Sequence, residues 1–156
     1  MNKRMKIILH VNIQAEKLYE KSKELGTLAA SAFLQSGQTS QANRERHRSQ
    51  MKGLENIAET TRKSTDVLDY IKKQIARKQS GWVTELQYGE KLKAFLEDGL
   101  TGPIDEICRE VGITGNTEQD RRDRQQIRLH LIRQFVRQMV IQYEYSISDL
   151  GRKNSA

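Results

Sequence analysis

The chain has 156 residues, which is long enough for one domain with a hydrophobic core and short for two. Its formal net charge of +7 favours an anionic partner, either nucleic acid or an acidic membrane surface. An aromatic content of 6% and a single proline favour helices over strands, and a single cysteine excludes a framework of internal disulfides.

The chain starts with a short apolar run, "MKIILHVNI", that has two interpretations. It is apolar and β-branched enough for a strand, but no second strand candidate follows, so it is either an orphan strand or the beginning of the first helix. The run is too short to span a bilayer, and no small-residue cleavage site follows it. We therefore predict an orphan strand or a flexible start over residues 1–11, and we expect a cytoplasmic protein.

Three helices are predicted in the first two thirds of the chain. The first covers residues 12–33, and its small residues would let another helix approach closely. The second covers residues 40–79 and is the longest, with one apolar stripe that continues along its length. After a break at Gly81, a shorter amphipathic helix carries Leu86 and Leu96.

Two further helices complete the predicted bundle. One is brief, covers residues 103–111 and closes at Gly112. The last begins after Thr117, which can act as its cap, and ends near residue 150. The sequence therefore predicts an all-α fold, a single-domain helical bundle of about five helices, two of them long, that spans residues 1–156 with a flexible tail from residue 151 onwards.

The sequence contains no spacing typical of a catalytic or metal site. Cys108 lies at core-like spacing from neighbouring apolar residues, which favours a packing role over a reactive thiol. No glycine-rich loop of the phosphate-binding kind is present. We therefore expect a protein that is not an enzyme, with no catalytic residue, metal, cofactor or small-molecule substrate. The histidines stand in separate segments and are predicted to be surface or boundary residues: His10, His47 and His130.

Four arginines open the last helix, in the segment "EQDRRDRQQIRLHLIRQ". At 100° per residue, three of them fall on the side that later carries Phe135 and Met139, so the first turns are predicted to project beyond the packed bundle. Cations at a helix N-terminus oppose the macrodipole, and a polyanionic partner would explain their placement. The alternative is that neighbouring acidic residues simply pair with them. The candidate phosphate-binding residues of this segment are Arg121, Arg122, Arg124 and Arg128.

A second basic segment, "NRERHRSQMK", opens the long predicted helix. Three of its cations are spaced by four residues and would form a stripe with about 6 Å per step, close to the spacing of phosphates along a strand. Three more return to roughly the same side further along, and the alternative for all six is a solubilising face. No aromatic residues are interleaved, so contact is expected with the nucleic-acid backbone and without sequence preference. The candidates are Arg44, Arg48, Lys52, Lys63, Lys73 and Arg77.

Two segments, "NRERHRSQMKGLENIAETTRKSTDVL" and "DRRDRQQIRLHLIRQFVRQMVIQYEY", resemble the small subunit of a CRISPR effector complex (Cascade). They are similar in particular to the C-terminal helical region of the type I-D large subunit, and they cover about a third of the chain. An orphan strand at the start would fit translation from a start inside a longer gene. Nothing resembles the nuclease or polymerase-like motifs of the large subunit, so the resemblance implies no catalytic activity.

The resemblance implies a non-catalytic small subunit that acts in antiviral defense. Its partners would be the backbones of the guide RNA and the target DNA, the other effector-complex subunits and further copies of itself, with no membrane involved. The alternative is a helical protein–protein interaction or regulatory adaptor whose positive charge only keeps it soluble. The residues carried over as backbone contacts are Arg44, Arg48, Lys52, Arg121, Arg122, Arg124 and Arg128.

Overall fold

A computed structural model describes residues 1–35, 41–79 and 81–154, and the side chains of these residues up to 149. The predicted all-α fold is confirmed, because the described residues form one helical bundle around a single hydrophobic core and contain no strand. Two of the predicted helices are each divided in two. The elements are α1 (Lys3–Lys17), α2 (Tyr19–Gln35), α3 (Gln41–Thr60), α4 (Ser64–Ala76), α5 (Tyr88–Ala94), a π-helical segment (Phe95–Gly99), α6 (Thr101–Val111) and α7 (Glu118–Asn154).

The orphan strand predicted over residues 1–11 is wrong, and the alternative that the apolar run begins the first helix is confirmed, because residues 3–11 belong to α1. Asn2 caps the helix, and its side-chain oxygen accepts the N–H of Met5 at 2.8 Å. Val11 and Ala15 are buried one turn apart on the side of α1 that packs against α6 and α7. The apolar run therefore follows a helical period, and the support that an orphan strand gave to an internal translation start is lost.

The first predicted helix is interrupted at Leu18, where α1 ends and α2 begins. The Leu18 N–H is shared between the carbonyl oxygens of Gln14 and Ala15, at 3.0 and 3.2 Å. The small residues of α2 allow the close approach that the sequence predicts. A Cβ atom on Gly26 would lie 2.5 Å from the carbonyl oxygen of Met139, so the backbone of α7 comes close only because this position is glycine.

The longest helix, α7, has 37 residues and is about 55 Å long. The helices α1, α2, α3, α4 and α6 pack along it. α1 and α2 follow it in the same direction. α3 runs in the opposite direction, since Lys52 lies 3.3 Å from Glu144, and Glu59 lies beside Arg137. α7 continues to Asn154, so the predicted end near residue 150 is wrong, and of the predicted tail only residues 155–156 lie outside the described residues.

The long helix predicted over residues 40–79 is wrong, because the chain turns after Thr60 and forms the antiparallel hairpin α3–α4. The Thr61 hydroxyl accepts the N–H of Lys63 at 3.1 Å and donates to the Asp66 carboxylate at 2.5 Å, which fixes the turn. Arg133 of α7 then caps the end of α3. Its guanidinium donates to the carbonyl oxygen of Ala58 at 2.8 Å and to that of Thr61 at 2.6 Å.

The breaks predicted after the hairpin are confirmed at three places. Gly81 has φ +85°, and a Cβ atom there would overlap the ring of Phe33. Gly112 closes α6 in the left-handed conformation. Thr117 caps α7, since its hydroxyl oxygen accepts the N–H of Asp120 at 3.0 Å.

The core confirms the packing role of Cys108 and corrects one histidine. Cys108 is buried, with 4% of its surface exposed. His47 is buried as well and stacks on Phe33 with ring centroids 4.6 Å apart, so its prediction as a surface or boundary residue is wrong. Burial is the main reason why the pKa of His47 lies below its ordinary value. His10 and His130 are partly exposed, as predicted.

Candidate nucleic-acid interface

The ten predicted cations divide into two groups by the contacts that they make within the described part of the chain. Six side chains are exposed and form no ion pair with any described residue: Arg44, Arg48, Lys63, Lys73, Arg77 and Arg121. The other four bind acidic side chains or a backbone carbonyl group: Lys52, Arg122, Arg124 and Arg128.

The α3–α4 hairpin brings together cations that lie about thirty residues apart in the sequence. The side chains of Gln50 and Gln79 are hydrogen bonded at 3.2 Å, and Gln50 also accepts the indole N–H of Trp82 at 3.0 Å. A straight helix would separate Arg48 and Arg77 by about 45 Å, whereas the hairpin places them at the same end. We call the exposed cations of this end the hairpin-end cluster, which consists of Arg44, Arg46, Arg48, Arg77 and Lys78.

The hairpin-end cluster lies on both sides of α3. Lys52 contacts Glu144 of α7, and Arg44 and Arg48 precede Lys52 by two turns and one turn, so these two arginines lie on the side towards α7. Arg46 lies one turn before Gln50, whose side chain contacts Gln79 just after α4. Arg46 therefore lies on the side of α3 that faces the cations after α4. A backbone that crosses this end of the hairpin can therefore contact cations on either side of α3.

Lys52, a residue of the predicted stripe, forms ion pairs with other residues of the chain. Its ammonium group lies 3.3 Å from Glu144 and 3.5 Å from Glu55. The ion pair with Glu144, together with the charge of Glu55, raises the pKa of Lys52. Because the ammonium group bridges α3 and α7, a phosphate would have to compete with two carboxylates for it.

Arg46 and Lys78 are members of the hairpin-end cluster that the sequence analysis missed. Periodicity along one continuous helix directs Arg46 away from the stripe, and it places Lys78 far from it. The signal for the turn was present in "TRKSTD", where hydroxyl residues precede Asp66 in the first turn of a new helix. The apolar stripe on both sides of the turn hid that signal.

The arginines at the start of α7 do not project beyond the bundle, which corrects the sequence-based expectation. Ile127 and Leu129 in the same turns are buried, with 0% and 1% of their surface exposed. Asp123 forms an ion pair at 2.7 Å with Lys3 of α1. We call the four arginines of these turns the α7-start cluster, which consists of Arg121, Arg122, Arg124 and Arg128.

Two members of the α7-start cluster are held by the neighbouring α6 and π-helical segments. Arg124 lies 2.6 Å from the carboxylate of Asp105 and 3.7 Å from the sulfur of Cys108. The hydrogen bond that Arg124 donates to Asp105 raises the pKa of Arg124. Arg128 is partly buried and donates to the carbonyl oxygen of Leu96 at 3.5 Å, and burial lowers its pKa. These two guanidinium groups pack α7 against its neighbours.

The other two members of the α7-start cluster remain accessible. Arg121 is exposed and forms no ion pair among the described residues. Arg122 pairs with Glu118 one turn earlier at 2.8 Å, and 69% of its side chain is exposed. An exposed pair of this kind contributes little to stability, so Arg122 can exchange its carboxylate partner for a phosphate at small cost.

The hairpin-end and α7-start clusters are separate surfaces. The end of the hairpin lies beside the part of α7 around Glu144, while Arg124 lies twenty residues earlier in the same helix. Twenty residues of α-helix correspond to about 30 Å, the length of roughly nine base pairs of duplex. A single short strand would therefore contact one cluster or the other.

The described residues form neither a metal-binding cluster nor a membrane-spanning helix. Among the described side chains, those of residues 1–35, 41–79 and 81–149, no group of three could hold a metal ion. The same residues form no helix that is both long enough and apolar enough to span a membrane. A surface groove of about 810 Å³ lies between α2 and α5, and none of the ten predicted cations lines it.

Comparisons of the chain with protein-family models, with curated proteins and with solved structures found no match.

Proposed function

We propose that this chain is a non-catalytic helical subunit that binds the backbone of nucleic acid, and that it does so as the small subunit of a CRISPR interference complex. The observation that carries the first part is the hairpin-end cluster, in which five exposed cations form no ion pair with any described residue. The second part rests on the resemblance of two sequence segments.

Unpaired cations suit phosphate binding because no internal ion pair has to break first. Each phosphate that a cation neutralises releases condensed counterions, and this release drives binding that weakens as salt is added. Four of the five members of the hairpin-end cluster are arginines, whose planar guanidinium matches the oxygens of a phosphate better than an ammonium group does. The cluster therefore favours a phosphate backbone over a simple solubilising role.

Sequence-independent binding is supported by the position of the aromatic residues. Trp82 and Tyr88 lie near the hairpin, but both are buried, with 1% and 0% of their surface exposed. Their rings pack against each other and against Phe33. Neither ring is therefore available for base stacking, which favours the backbone as the ligand.

The proposed place in an effector complex concerns the same elements. One of the two segments that resemble Cascade small subunits covers α3 and the beginning of α4, and the other covers most of α7. The proposed partners are the guide RNA, the target DNA and the other subunits of the complex. An orphan strand at the start of the chain would have fitted translation from a start inside a longer gene. Because residues 3–11 are helical, they give no support to that origin.

The backbone-binding part is tested by a mobility-shift titration with single-stranded DNA, duplex DNA and RNA at about 50 and 200 mM salt. The test variant carries Arg44→Glu, Arg48→Glu and Arg77→Glu. The matched control carries Arg4→Glu, Lys91→Glu and Arg109→Glu, three exposed cations outside both clusters. Each variant lowers the net charge by six, from +7 to +1, so any difference between them reflects position.

We expect salt-sensitive binding by the wild type that the test variant loses and the control largely keeps. Equal losses in the two variants would reduce the effect to net charge, and no binding by the wild type at low salt would contradict the proposal. The effector-complex part is tested by purification of a tagged chain from its native host. Recovery without guide RNA and without other effector subunits would contradict that part.

A second candidate function is that of a helical interaction or regulatory adaptor. It is favoured by the exposed apolar side chains on α1, which are typical of a protein-binding surface. It also agrees with the use of three of the ten predicted cations, Lys52, Arg124 and Arg128, in contacts between elements of the fold. This candidate predicts that the wild type binds no nucleic acid in a salt-dependent manner, so the same titration separates the two functions.

A further inference from the structure

The aromatic ring of Tyr145 is exposed on α7 near the hairpin-end cluster. Tyr145 is 63% exposed, and Ile141, one turn earlier on the same side of the helix, is 60% exposed. Together they form a small apolar surface on the outer side of α7. Tyr145 differs in this respect from Trp82 and Tyr88, whose rings lie in the core.

Folding places this ring near an arginine that is far from it in the sequence. Lys52 of α3 contacts Glu144 of α7, the residue before Tyr145. Because α3 and α7 are antiparallel, Arg48, one turn before Lys52, lies opposite the turn of α7 that follows Glu144. Tyr145 and Arg48 are therefore about 5 Å apart along the helix axes, on neighbouring helices whose axes are about 10 Å apart.

The electrostatics of Tyr143 agree with this position of Arg48. Tyr143 is buried two residues before Tyr145, and burial and the charge of Glu144 raise the pKa of its hydroxyl group. The positive charge of Arg48 opposes that rise in the pKa, which requires that the guanidinium group lies close to this part of α7. The carboxylate of Glu144 is bound by Lys52. The surface at Tyr145 therefore borders a region of positive charge.

We propose that Tyr145 stacks on an unpaired base of a single nucleic-acid strand whose phosphates contact Arg44 and Arg48. This inference rests on the proposed function and adds to it the class of ligand, a single strand. The two arginines are exposed and form no ion pair with a described residue, so both can hold phosphates. A base next to those phosphates can then cover the ring. Because every base has an aromatic face, such binding requires no particular sequence.

A duplex cannot use the ring in the same way. Its bases are stacked on one another, so a side chain on the protein surface meets sugars, phosphates and base edges. An exposed tyrosine reaches the face of a base only where the strand is unpaired. The arginines bind the phosphates of both forms, and the ring adds affinity for the single strand alone.

A protein partner fits this surface less well. Tyr145 and Ile141 are only two side chains, whereas a standard stable protein interface buries roughly 800 Å² on each partner. One ring is enough for one base. Arg44 and Arg48 are one helical turn apart, about 6 Å, which suits successive phosphates of a strand.

The test compares two oligomers of the same length, about 12 residues, within the usual site size of single-strand binding proteins. One is an oligothymidylate, and the other is a deoxyribose-phosphate chain without bases. Because their phosphates are the same, the ratio of their dissociation constants measures the contribution of the bases. The full wild-type chain should bind the oligothymidylate about fivefold or more tightly than the abasic chain, which is the lower end of what one stacked base contributes.

Three variants assign that ratio to the ring. Tyr145→Leu should bring the ratio close to one and leave the affinity for a duplex unchanged, whereas Tyr145→Phe should keep the wild-type ratio because the ring remains. The control is Tyr19→Leu, which removes a tyrosine on α2 that is 45% exposed and lies outside both clusters. It should keep the ratio as well. The salt dependence should be the same in all four proteins, since stacking neutralises no phosphate.

Three results would overturn the inference and leave the proposed function in place. They are equal affinities of the wild type for the two oligomers, a Tyr145→Leu variant that keeps the wild-type ratio, and an equal loss of affinity for the duplex in that variant. A Tyr145→Leu variant that changes the sedimentation of the free protein but not the ratio would assign the ring to a protein interface instead. No binding of any probe by the wild type at low salt would contradict the proposed function and this inference together. Circular dichroism of each variant verifies that the helices are intact.

Discussion

The hairpin-end and α7-start clusters look alike in the sequence, since each is a short run rich in arginine with a few acidic neighbours. In the structure they differ in what lies opposite them. The guanidinium groups of Arg44 and Arg48 meet no acidic partner among the described residues, whereas Arg124 and Arg128 are held by α6 and the π-helical segment. The availability of a cation therefore depends on the element that packs across from it.

The partners of the α7-start cluster come from distant parts of the sequence. Asp105 precedes Arg124 by nineteen residues, and the carbonyl oxygen of Leu96 precedes Arg128 by thirty-two. Both partners reach α7 only in the folded protein, so the local pattern of charges in the sequence does not predict them. The local acids Glu118 and Asp123 account for only part of the pairing, since Asp123 binds Lys3 of α1 instead of an arginine.

The largest effect on nucleic-acid binding is expected for charge reversal in the hairpin-end cluster. Arg44→Glu, Arg48→Glu and Arg77→Glu together should weaken nucleic-acid binding about a hundredfold or more at 0.1 M salt, because three phosphate contacts are replaced by repulsion. The free energy of unfolding should change by less than about 0.5 kcal/mol, since none of the three forms an ion pair within the described ranges. A large loss of stability in urea would show that these arginines are structural.

The second-largest effect, on stability, is expected for Arg133 of α7, whose guanidinium is bonded to the end of α3. Arg133→Ala removes two donors from the carbonyl oxygens at the end of α3 and should lower the free energy of unfolding by about 2 kcal/mol. Arg137→Ala is the matched control, because its pair with Glu59 is half exposed and should be worth less than about 0.5 kcal/mol. Equal values in urea denaturation would contradict the capping role of Arg133.

A smaller effect is expected within the α7-start cluster itself. Arg124→Ala should lower the free energy of unfolding by about 0.5 kcal/mol, a value reduced by solvent screening because a third of the side chain is exposed. Arg121→Ala should leave it unchanged. If Arg121→Ala weakened nucleic-acid binding less than Arg124→Ala did, the division of the cluster into accessible and structural arginines would be wrong.

The smallest effect is the pH dependence of stability that arises from His47, which lies between Arg46 and Arg48 in α3. Burial, with the charge of Arg46, lowers the pKa of His47 in the folded protein, so the unfolded chain binds the proton more readily. The stability that the neutral imidazole provides is complete above pH 6.5 and is lost as the pH falls from there towards the folded pKa.

Urea denaturation at pH 7.5 and 5.5 measures this dependence. His47→Leu should show a weaker loss of stability on acidification than the wild type does. His130 has a pKa that is also lowered by burial, so His130→Gln serves as the comparison and should remove a separate share of the loss. An unchanged pH dependence in His47→Leu would contradict the neutral, buried state of His47.

Much of the fold could be predicted because its signals are local. The small residues of α2, the left-handed Gly112 and the Thr117 cap each act within a few residues of the chain or along one helix face. The division of the long helix was missed for a different reason. The turn at Thr61 depends on the guanidinium of Arg133, which lies more than seventy residues away.

The candidate site was predictable in its residue types and only partly in its arrangement. Periodicity identified Arg44 and Arg48 as a stripe, but without the turn Arg77 was placed about 45 Å from Arg48, and Lys78 was left out. The helical character of α1 was missed because both its buried and its exposed side carry apolar residues, which cancel in a search for one stripe. Arg124 differs from Arg121 because it pairs with a residue of another helix, and the spacing of residues in the sequence does not predict such pairs.

The most direct test of the central claim is the salt dependence of nucleic-acid binding in two matched variants. One carries Arg44→Gln, Arg48→Gln and Arg77→Gln, and the other carries Arg121→Gln, Arg124→Gln and Arg128→Gln. We predict that the slope of log Kd against log salt concentration falls by about three in the first variant and by about one or less in the second. Equal slopes, or the larger loss in the α7-start variant, would contradict the hairpin end as the main backbone-binding surface.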